Sequence, residues 1–349
     1  MRKVWRLWGI LAILAFSVLA LTACGSSSTE DALVNEDGNI ICPLDGMTLD
    51  SAEQHGDYAL VVSIDNGAGS EPQSGIGKAD LLVEIPVEAG ITRFMAFFYH
   101  HTPDTIGPVR SARHYAYDVI RAYDGIFAHC GGSPQAYDVI KSGEVKDIDE
   151  MSCGDAFWRT EDRKAPHNLY TSYDKLSKKS AEKEFPSVSL TECPSFDFMT
   201  EDDMTALTYG GVEEILIPYR FKSVLFKWDG EEQRYQRYSA SDPSIDAIDD
   251  SAVMADNVAV LYVDYKLIAE DDSGRLDMKI SSGDGVLVQY GNRINIHWTC
   301  EAGEGFQFTN SDTSEAVKLI PGKTIIHIAD PDSEPAELTE TSATTEGAE

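Results

Sequence analysis

Three short runs of apolar and β-branched residues, broken by glycine and proline, constrain the fold more than any other feature. They are YALVVSID (58–65), DLLVEIPV (80–87) and ITRFMAFFYH (91–100). Runs of this length and composition, bounded by turn-forming residues, indicate β-strands. The first half of the chain is therefore expected to contain a sheet.

Helix signals follow these strands. SARHYAYDVIRAY (111–123) carries apolar residues at near-helical spacing, and Ser111 is a natural N-cap. After a short buried strand predicted at GIFAHC (125–130), PQAYDVIK (134–141) starts with Ser133 as its cap and proline at the first helical position. Strands and helices mixed in this way predict an α/β or α+β domain.

Strand signals dominate after about residue 205. Two hairpins are predicted, with turns near Asp229-Gly230 and at Gly291-Asn292. TIIHIA (324–329) has the composition of a last strand. The pattern predicts an α/β or α+β N-terminal domain over residues 42–204, followed by a smaller β-rich C-terminal domain over residues 205–329.

The N-terminus carries the features of a secretory signal. Positive residues precede the apolar run LWGILAILAFSVLALTA, which is short for a membrane-spanning helix. The run ends in LTAC (21–24), which resembles the bacterial lipobox and implies that residues 1–23 are a signal peptide and that Cys24 carries a diacylglycerol. Two acyl chains anchor a protein stably, so lipid attachment at the extracytoplasmic face of the cell membrane is expected. The alternative is an uncleaved membrane anchor.

Two polar segments flank the predicted domains. Residues 24–41 are mostly small, polar or acidic, and they predict a flexible tether. Residues 330–349 carry seven acidic and no basic residues, and they predict a disordered tail.

The chain is strongly acidic. It holds 59 aspartates and glutamates against 28 lysines and arginines, a formal net charge of −31. Non-specific nucleic-acid binding needs a basic surface, so nucleic acid is excluded as a partner.

Metal and cofactor signals are missing from the sequence, and neither is predicted. His100 and His101 are adjacent, so in a strand they would point to opposite faces and would not form one metal site. Five cysteines follow Cys24 without zinc-type spacing, and their odd number leaves at least one thiol free or intermolecular. They are Cys42, Cys130, Cys153, Cys193 and Cys300.

Polar residues end or interrupt two of the predicted strands. Asp65 ends the first run and Asn66 follows it. Polar residues at this position in α/β sheets line ligand crevices, although turn formation alone would also place them there. Glu84 and Glu88 lie in or beside the second run, with Arg93 as the nearest partner in sequence. A carboxylate in an apolar strand is costly unless paired. The alternatives are an acid/base or ligand contact, a structural ion pair, and an edge-strand gatekeeper.

A glycine pair precedes the second predicted helix in HCGGSPQA. Gly131 and Gly132 allow close backbone approach, and the N–H groups at a helix start that Ser133 caps favour an anion. A carboxylate, sulfate or phosphate cradle is therefore predicted here. His129 is either a base or a histidine satisfied by structural hydrogen bonds.

Polar and aromatic side chains also concentrate in RKAPHNLYTS (163–172). His167, Asn168 and Tyr170 combine hydrogen-bonding groups with an aromatic ring, which suits a sugar or peptide ligand. The alternative is an ordered loop held by its own hydrogen bonds.

A basic pair stands in IGPVRSARH (106–114). Arg113 falls in the first turn of the predicted helix, where the helix dipole disfavours positive charge. Arg110 and Arg113 are therefore expected either to pair with buried carboxylates such as Glu84 and Glu88, or to face an anionic ligand.

These motifs together resemble the YerB-like family of bacterial proteins, which are named as lipoproteins. The resemblance rests on the order CPLDG (42–46), SIDN, PQSGIGKAD, VEAGITRF, IGPVRSAR, HCGGSPQA and RKAPHNLYT. It implies an N-terminal and a C-terminal domain of unknown function and an envelope location. It implies no catalytic residue.

Three functions are compatible with the sequence. The first is a membrane-anchored envelope lipoprotein that binds an anionic, glycan or peptide ligand of the cell wall. The second is a wall-active enzyme, a peptidoglycan hydrolase or lytic transglycosylase, with Glu84, Glu88 or Asp65 as general acid. The third is a member of a complex that acts only through contacts with a protein partner.

Overall fold

The computed structural model describes residues 33–34, 38–49, 56, 58–332 and 336–340. The predicted signal peptide and Cys24 lie outside these residues. Within them, no helix is both long enough and apolar enough to span a membrane.

The described residues are mostly sheet with few helices, so the α/β expectation holds only in part. The strands are β1 (Leu60–Asp65), β2 (Leu81–Pro86), β3 (Thr92–Phe98), β4 (Ile126–His129), β5 (Lys146–Asp149), β6 (Trp158–Arg159), β7 (Leu169–Tyr170), β8 (Val212–Ile217), β9 (Val224–Asp229), β10 (Arg234–Ser239), β11 (Asp242–Pro243), β12 (Met254–Ala255), β13 (Asn257–Tyr262), β14 (Lys266–Leu267), β15 (Leu276–Asp277), β16 (Ser282–Gln289), β17 (Asn292–Glu301), β18 (Gly305–Asn310), β19 (Thr324–Ala329) and β20 (Glu337–Glu340). The helices are α1 (Ala116–Ala122), α2 (Pro134–Lys141), α3 (Tyr173–Glu182) and α4 (Glu201–Ala206).

A ten-stranded mixed sheet draws on both halves of the chain. Its order is β18-β17-β16-β13-β19-β2-β3-β1-β4-β5. The halves meet where β19 pairs in parallel with β2, with Thr324 opposite Leu81 and His327 opposite Glu84. The two predicted domains thus share one sheet, and the boundary at residues 204 and 205 stays a prediction.

A smaller sheet has the order β11-β10-β9-β8-β20, with β12 paired to β10. Both predicted hairpins are confirmed, as β9–β10 and β16–β17.

The predicted disordered tail is wrong for Glu337–Glu340, because this segment forms β20 and pairs with β8. The predicted tether is likewise wrong for Ile40 and Ile41, which form bridges with Val34 and Thr48. Composition predicted both segments as flexible because it does not register backbone pairing.

β1 lies between β3 and β4 and is buried at every position. Val61 faces the core that contains α1, and Leu60, Val62 and Ile64 face the core that contains the smaller sheet. Full burial of such a side chain stabilises the fold by about 1.5–3 kcal/mol. This packing fixes the position of β1 between the two cores, and with it the position of Asp65 at the strand end.

The first helix is shorter than the sequence predicts. It begins at Ala116, and Ser111 does not cap it, because the preceding backbone pairs with strands and loops instead. The N–H of Arg110 donates to the carbonyl of Ser63, and that of Ala112 donates to the carbonyl of Gly131. Arg113 therefore lies before the helix rather than in its first turn.

The second helix agrees with the prediction in full. It runs from Pro134 to Lys141, and the Ser133 hydroxyl accepts a hydrogen bond from the N–H of Ala136. A local cap was sufficient to predict this helix.

Candidate functional site

Asp65 is the last residue of β1, and its buried carboxylate contacts two basic side chains. Oδ2 lies 2.6 Å from Nδ1 of His167 and 3.1 Å from Nε of Arg110. Oδ1 accepts a hydrogen bond from the N–H of Gly67 at 3.0 Å. One carboxylate thus forms an ion pair with a guanidinium and contacts an imidazole at the end of the strand.

Pairing between distant segments brings these residues together. The N–H of Val109 donates to the carbonyl of Leu169 at 2.7 Å, which joins the strand-like segment before Arg110 to the segment after His167. Arg163 donates through its two terminal nitrogens to backbone carbonyls of the loop after β1, those of Ser70 and Pro72. The loop that carries His167 is therefore tied to the loop that follows Asp65.

Arg110 and His167 remain partly accessible. Their side chains are 23% and 27% exposed, whereas that of Asp65 is fully buried. In the part of the chain that the structure describes, no residue forms a hydrogen bond with the terminal nitrogens of Arg110 or with Nε2 of His167. Gly69 lies beside this Nε2 and, having no side chain, leaves space next to it; a Cβ added at Gly69 would stand 3.9 Å from Nε2. The terminal nitrogens of Arg110 and Nε2 of His167 therefore remain available to a ligand.

A second ion-pair group lies on the neighbouring strand and loops. Glu88 receives two hydrogen bonds from Arg113, from Nε at 2.9 Å and a shorter one from Nη2, and it lies 3.4 Å from Nη2 of Arg93. Burial acts to raise the pKa of Glu88, but the Arg113 hydrogen bonds and the charge of Arg93 outweigh it and lower the pKa. Glu88 and Arg113 thus satisfy each other.

Arg93 links the two groups. It stands opposite Asp65 in the β1–β3 register, and its Nη1 donates to the carbonyl of Ser111 at 2.5 Å. Burial, followed by the charge of Arg113, lowers the pKa of Arg93 to about 10, and the charge of Arg110 acts in the same direction. Three guanidiniums face the two carboxylates of Asp65 and Glu88, so this region carries an excess of positive charge in a very acidic chain.

Glu84 belongs to a different, fully buried cluster. Its Oε1 accepts hydrogen bonds from Thr92 at 2.6 Å and from Asn66 at 2.9 Å, and its Oε2 accepts from Arg237 at 2.9 Å. His327 lies 3.5 Å from Oε2. Burial acts to raise the pKa of Glu84, but the charge of Arg237 and these hydrogen bonds lower it below its usual value. Asn66 and Glu84 are therefore buried structural partners.

The predicted anion cradle at Gly131–Ser133 is filled by the protein itself. The N–H of Gly131 donates to the Asp149 carboxylate at 2.7 Å, and that of Ser133 donates to the carbonyl of Ala112 at 3.2 Å. His129 is fully buried between Asp147, at 2.5 Å, and the carbonyl of Gly131, at 2.8 Å. Gly132 forms a bridge with Ala112. These residues build the end of β4.

Asn168 and Tyr170 hold the hairpin that contains His167. The Asn168 side chain accepts from Arg159 at 3.1 Å and donates to the carbonyl of Thr160 at 3.0 Å. Tyr170 is buried and stacks on Trp158, with ring centroids 6.4 Å apart. Both side chains support the loop, and His167 is the member of this motif that contacts Asp65.

The expectation that His100 and His101 point apart is wrong. They follow the end of β3 in a bend rather than continuing the strand, and their ring centroids are 3.8 Å apart. Both Nδ1 atoms face Oδ1 of Asp80, at 3.2 Å and 2.5 Å. The turn signal of Pro103 two residues later marked the end of this strand. No sequence signal indicated that Arg237 and His327 would contact Glu84, because the strands that carry them have the residue pattern of ordinary sheet strands.

Comparison with known proteins places the chain in a family. The profile described as the N-terminal domain of a protein of unknown function (DUF3048) matches residues 44–186, and the profile of its C-terminal domain matches residues 215–326. The chain is 31% identical over 337 residues to "Putative lipoprotein YerB" of Bacillus subtilis (strain 168), covering 95% of this chain and 97% of the relative. The chain belongs to the YerB-like DUF3048 family.

A solved structure supports this assignment. The crystal structure of the YerB protein from Bacillus subtilis aligns with a TM-score of 0.76 at 29% identity, covering 86% of this chain and all of the other. The two matched regions confirm an N-terminal and a C-terminal domain. Three motifs of the YerB-like resemblance, SIDN, IGPVRSAR and RKAPHNLYT, supply Asp65, Arg110 and His167 respectively.

Proposed function

We propose that the protein is a cell-envelope lipoprotein that binds an anionic group through Arg110 and His167. The observation that carries the proposal is the double contact of Asp65 Oδ2, which holds both basic side chains while leaving their outer nitrogens without a partner among the described residues. A guanidinium offers paired donors that match a carboxylate or phosphate.

The local charge supports an anion rather than a neutral ligand. Arg93, Arg110 and Arg113 outnumber the carboxylates of Asp65 and Glu88, in a chain whose net charge is −31. A positive site in such a chain attracts a small anionic group over a short range, because salt screens the distant negative charges. The proposed ligand class is a carboxylate or phosphate group of a cell-wall peptide or glycan.

The envelope location rests on the sequence and on the relative. The lipobox-like LTAC at residues 21–24 predicts a diacylglycerol on Cys24, and the Bacillus subtilis relative is named as a lipoprotein. Attachment at the extracytoplasmic face would put the site within reach of wall fragments. A Cys24→Ser variant is expected to lose lipid attachment and to separate from the membrane fraction.

The arrangement of the three candidate acids does not favour the wall-hydrolase alternative. A general acid must hold a proton and reach a substrate. Glu84 is fully buried and has a lowered pKa, while Glu88 is engaged by Arg113 and has a lowered pKa. Asp65 is fully buried beneath Arg110 and His167.

Calorimetry with a peptidoglycan disaccharide-peptide that carries free carboxylates tests the binding proposal. Wild-type protein is expected to bind it, and Arg110→Gln is expected to bind at least about tenfold more weakly, a loss of about 1.4 kcal/mol. Lys164→Gln is the matched control, since it removes an exposed positive charge from the His167 loop. Equal losses in both variants, or no binding by wild type, would contradict the proposal.

A further inference from the structure

We propose that Asp45, Asp80, His100 and His101 form a binding site for a divalent transition-metal cation. One ligand atom from each of these residues lies within 4.8 Å of the other three. Asp45 lies in the segment before β1, Asp80 directly precedes β2, and His100 and His101 follow β3 at the same open end of the β2–β3 hairpin. The site shares no residue with the Asp65 group, so either proposal can fail without the other.

The separations approach those of a metal-bound set. Nδ1 of His100 lies 3.2 Å from Oδ1 of Asp80 and 3.6 Å from Oδ2 of Asp45. Ligands of a tetrahedral zinc ion, at about 2.0–2.2 Å from the metal, are about 3.3–3.6 Å from one another. Nδ1 of His101 is closer to Asp80, at 2.5 Å. Since the His101 side chain is 46% exposed, it can move outward to admit an ion.

The other oxygen of each carboxylate is already held. Asp45 Oδ1 accepts a hydrogen bond from the N–H of Met47 at 3.0 Å. Asp80 Oδ2 accepts from the N–H groups of Tyr99, at 2.5 Å, and His100, at 3.0 Å. Outer contacts of this kind orient metal ligands. They leave Asp45 Oδ2 and Asp80 Oδ1 directed at the two imidazoles.

The cluster contains one nitrogen without a hydrogen-bond partner among the described residues, and it holds two carboxylates close together. Nδ1 of His100 is buried and forms no hydrogen bond with a described residue, although both carboxylates lie near it. The side chains of Asp45 and Asp80 are only 6% and 0% exposed, and two buried like charges this close disfavour each other. Lys323 is the nearby buried cation, but its ammonium donates to the backbone carbonyls of Ile76 and Ala79. A bound cation would offset the negative charge of both carboxylates and give Nδ1 of His100 a partner.

The donor set indicates the kind of ion. Two imidazole nitrogens and two carboxylate oxygens suit zinc and related first-row metals, whereas magnesium and calcium prefer oxygen ligands alone. A cavity of about 510 Å³, lined in part by His101, Lys78 and Asp104, gives an ion a route to the exposed histidine. Zn²⁺ is therefore the expected ligand.

Titration of the EDTA-treated, detergent-solubilised full-length protein with Zn²⁺ tests this site. Wild type is expected to bind one ion per chain, and the ion should raise the melting temperature. His101→Gln should weaken binding at least about tenfold and abolish the thermal shift. Co²⁺ in place of Zn²⁺ should give the visible absorption of a four-coordinate site, and His101→Gln should lose it.

His297→Gln is the matched control. His297 also lies 3.1 Å from an aspartate, Asp284, but both side chains are largely exposed and belong to no larger group of ligands among the described residues. The affinity of the His297→Gln variant for Zn²⁺ should equal that of wild type. Asp80→Asn should behave like His101→Gln if it folds, and the exposed His101 keeps the test decisive if it does not. No stoichiometric binding by wild type, or equal affinities in His101→Gln and His297→Gln, would overturn the proposal.

Discussion

Two trios of a carboxylate, an arginine and a histidine stand in this protein in contrasting surroundings. Asp65 contacts Arg110 and His167 at the end of β1, where both basic side chains are about one-quarter exposed. Glu84 contacts Arg237 and His327 between the two sheets, where all three side chains are at most 1% exposed. The two trios contain the same kinds of chemical group and differ in how far their side chains are buried.

Burial decides which donors remain available. Arg237 donates to Ser244 at 2.7 Å and to Glu84 at 2.9 Å, and its guanidinium lies 5.0 Å above the ring of Phe94. Its terminal nitrogens are thus bonded within the core. Arg110 approaches Asp65 through Nε and leaves its terminal nitrogens without a partner in the described part of the chain. The buried trio joins the two sheets, while the open trio exposes the nitrogens to which the proposed ligand would bind.

Removal of the arginine should give the largest difference in stability between the two trios. Arg237→Gln is expected to lower the free energy of unfolding by about 3–5 kcal/mol, because it leaves the buried Glu84 charge without its main partner. Arg110→Gln should cost less, about 1–2 kcal/mol, since Asp65 keeps His167 and the N–H of Gly67. Urea denaturation of both variants measures the difference. Equal losses would mean that Arg110 is also a structural residue.

Acid should destabilise the buried trio through His327. Burial lowers the pKa of His327 to about 4, against the opposing charge of Glu84 and together with the charge of Arg237. The unfolded chain, with a histidine pKa near 6.5, then binds more protons below that pH, so stability is full above pH 6.5 and falls as the pH drops towards 4. The loss from this residue is up to about 3 kcal/mol, since one pKa unit is about 1.36 kcal/mol.

The slope of unfolding free energy against pH in His327→Gln isolates this contribution. The variant should lose less stability than wild type between pH 6.5 and pH 4, whatever its stability at neutral pH. The same slope in both proteins would show that His327 is not kept neutral by the fold.

Substitution of Glu88 tests the charge balance around the open trio, and its expected effect on binding is smaller than the effects above. Glu88→Gln removes one of two carboxylates among three guanidiniums, so binding of the anionic disaccharide-peptide should strengthen by about two- to fivefold, or about 0.5–1 kcal/mol. Calorimetry at low and high salt measures it, and the gain should shrink at high salt. Weaker binding would show instead that Glu88 positions Arg113 and Arg93 for the ligand.

The local parts of the fold were predictable from the sequence. The strands near 58–65, 80–87 and 91–100 follow from β-rich runs between breakers, and α2 follows from the Ser133 cap and Pro134. The start of α1 was not predictable from local signals, because long-range backbone bonds at Arg110 and Ala112 compete with the helix.

The trios depend on contacts that sequence proximity does not reveal. Asp65 and His167 are 102 positions apart, and Glu84 and Arg237 are 153 apart. The sequence identified Glu84 as a carboxylate that needs a partner, but it offered Arg93, Arg110 and Arg113, since Arg237 lies in an ordinary alternating strand. The motifs did identify Asp65, Arg110 and His167 as candidates, but only the fold shows that these three side chains are in contact. Asn66, Glu84 and His129 are held in other buried groups.

Arg110 is proposed to recognise an anionic group of the ligand, and a carboxylate is the group that can be masked most simply. The most direct test measures the affinity of wild type and Arg110→Gln for the disaccharide-peptide with its carboxylates free and with them amidated. We expect amidation to weaken wild-type binding at least about tenfold and to cause little further loss in Arg110→Gln, because two changes that remove one contact are not additive. Additive losses, or no effect of amidation on wild type, would contradict the account.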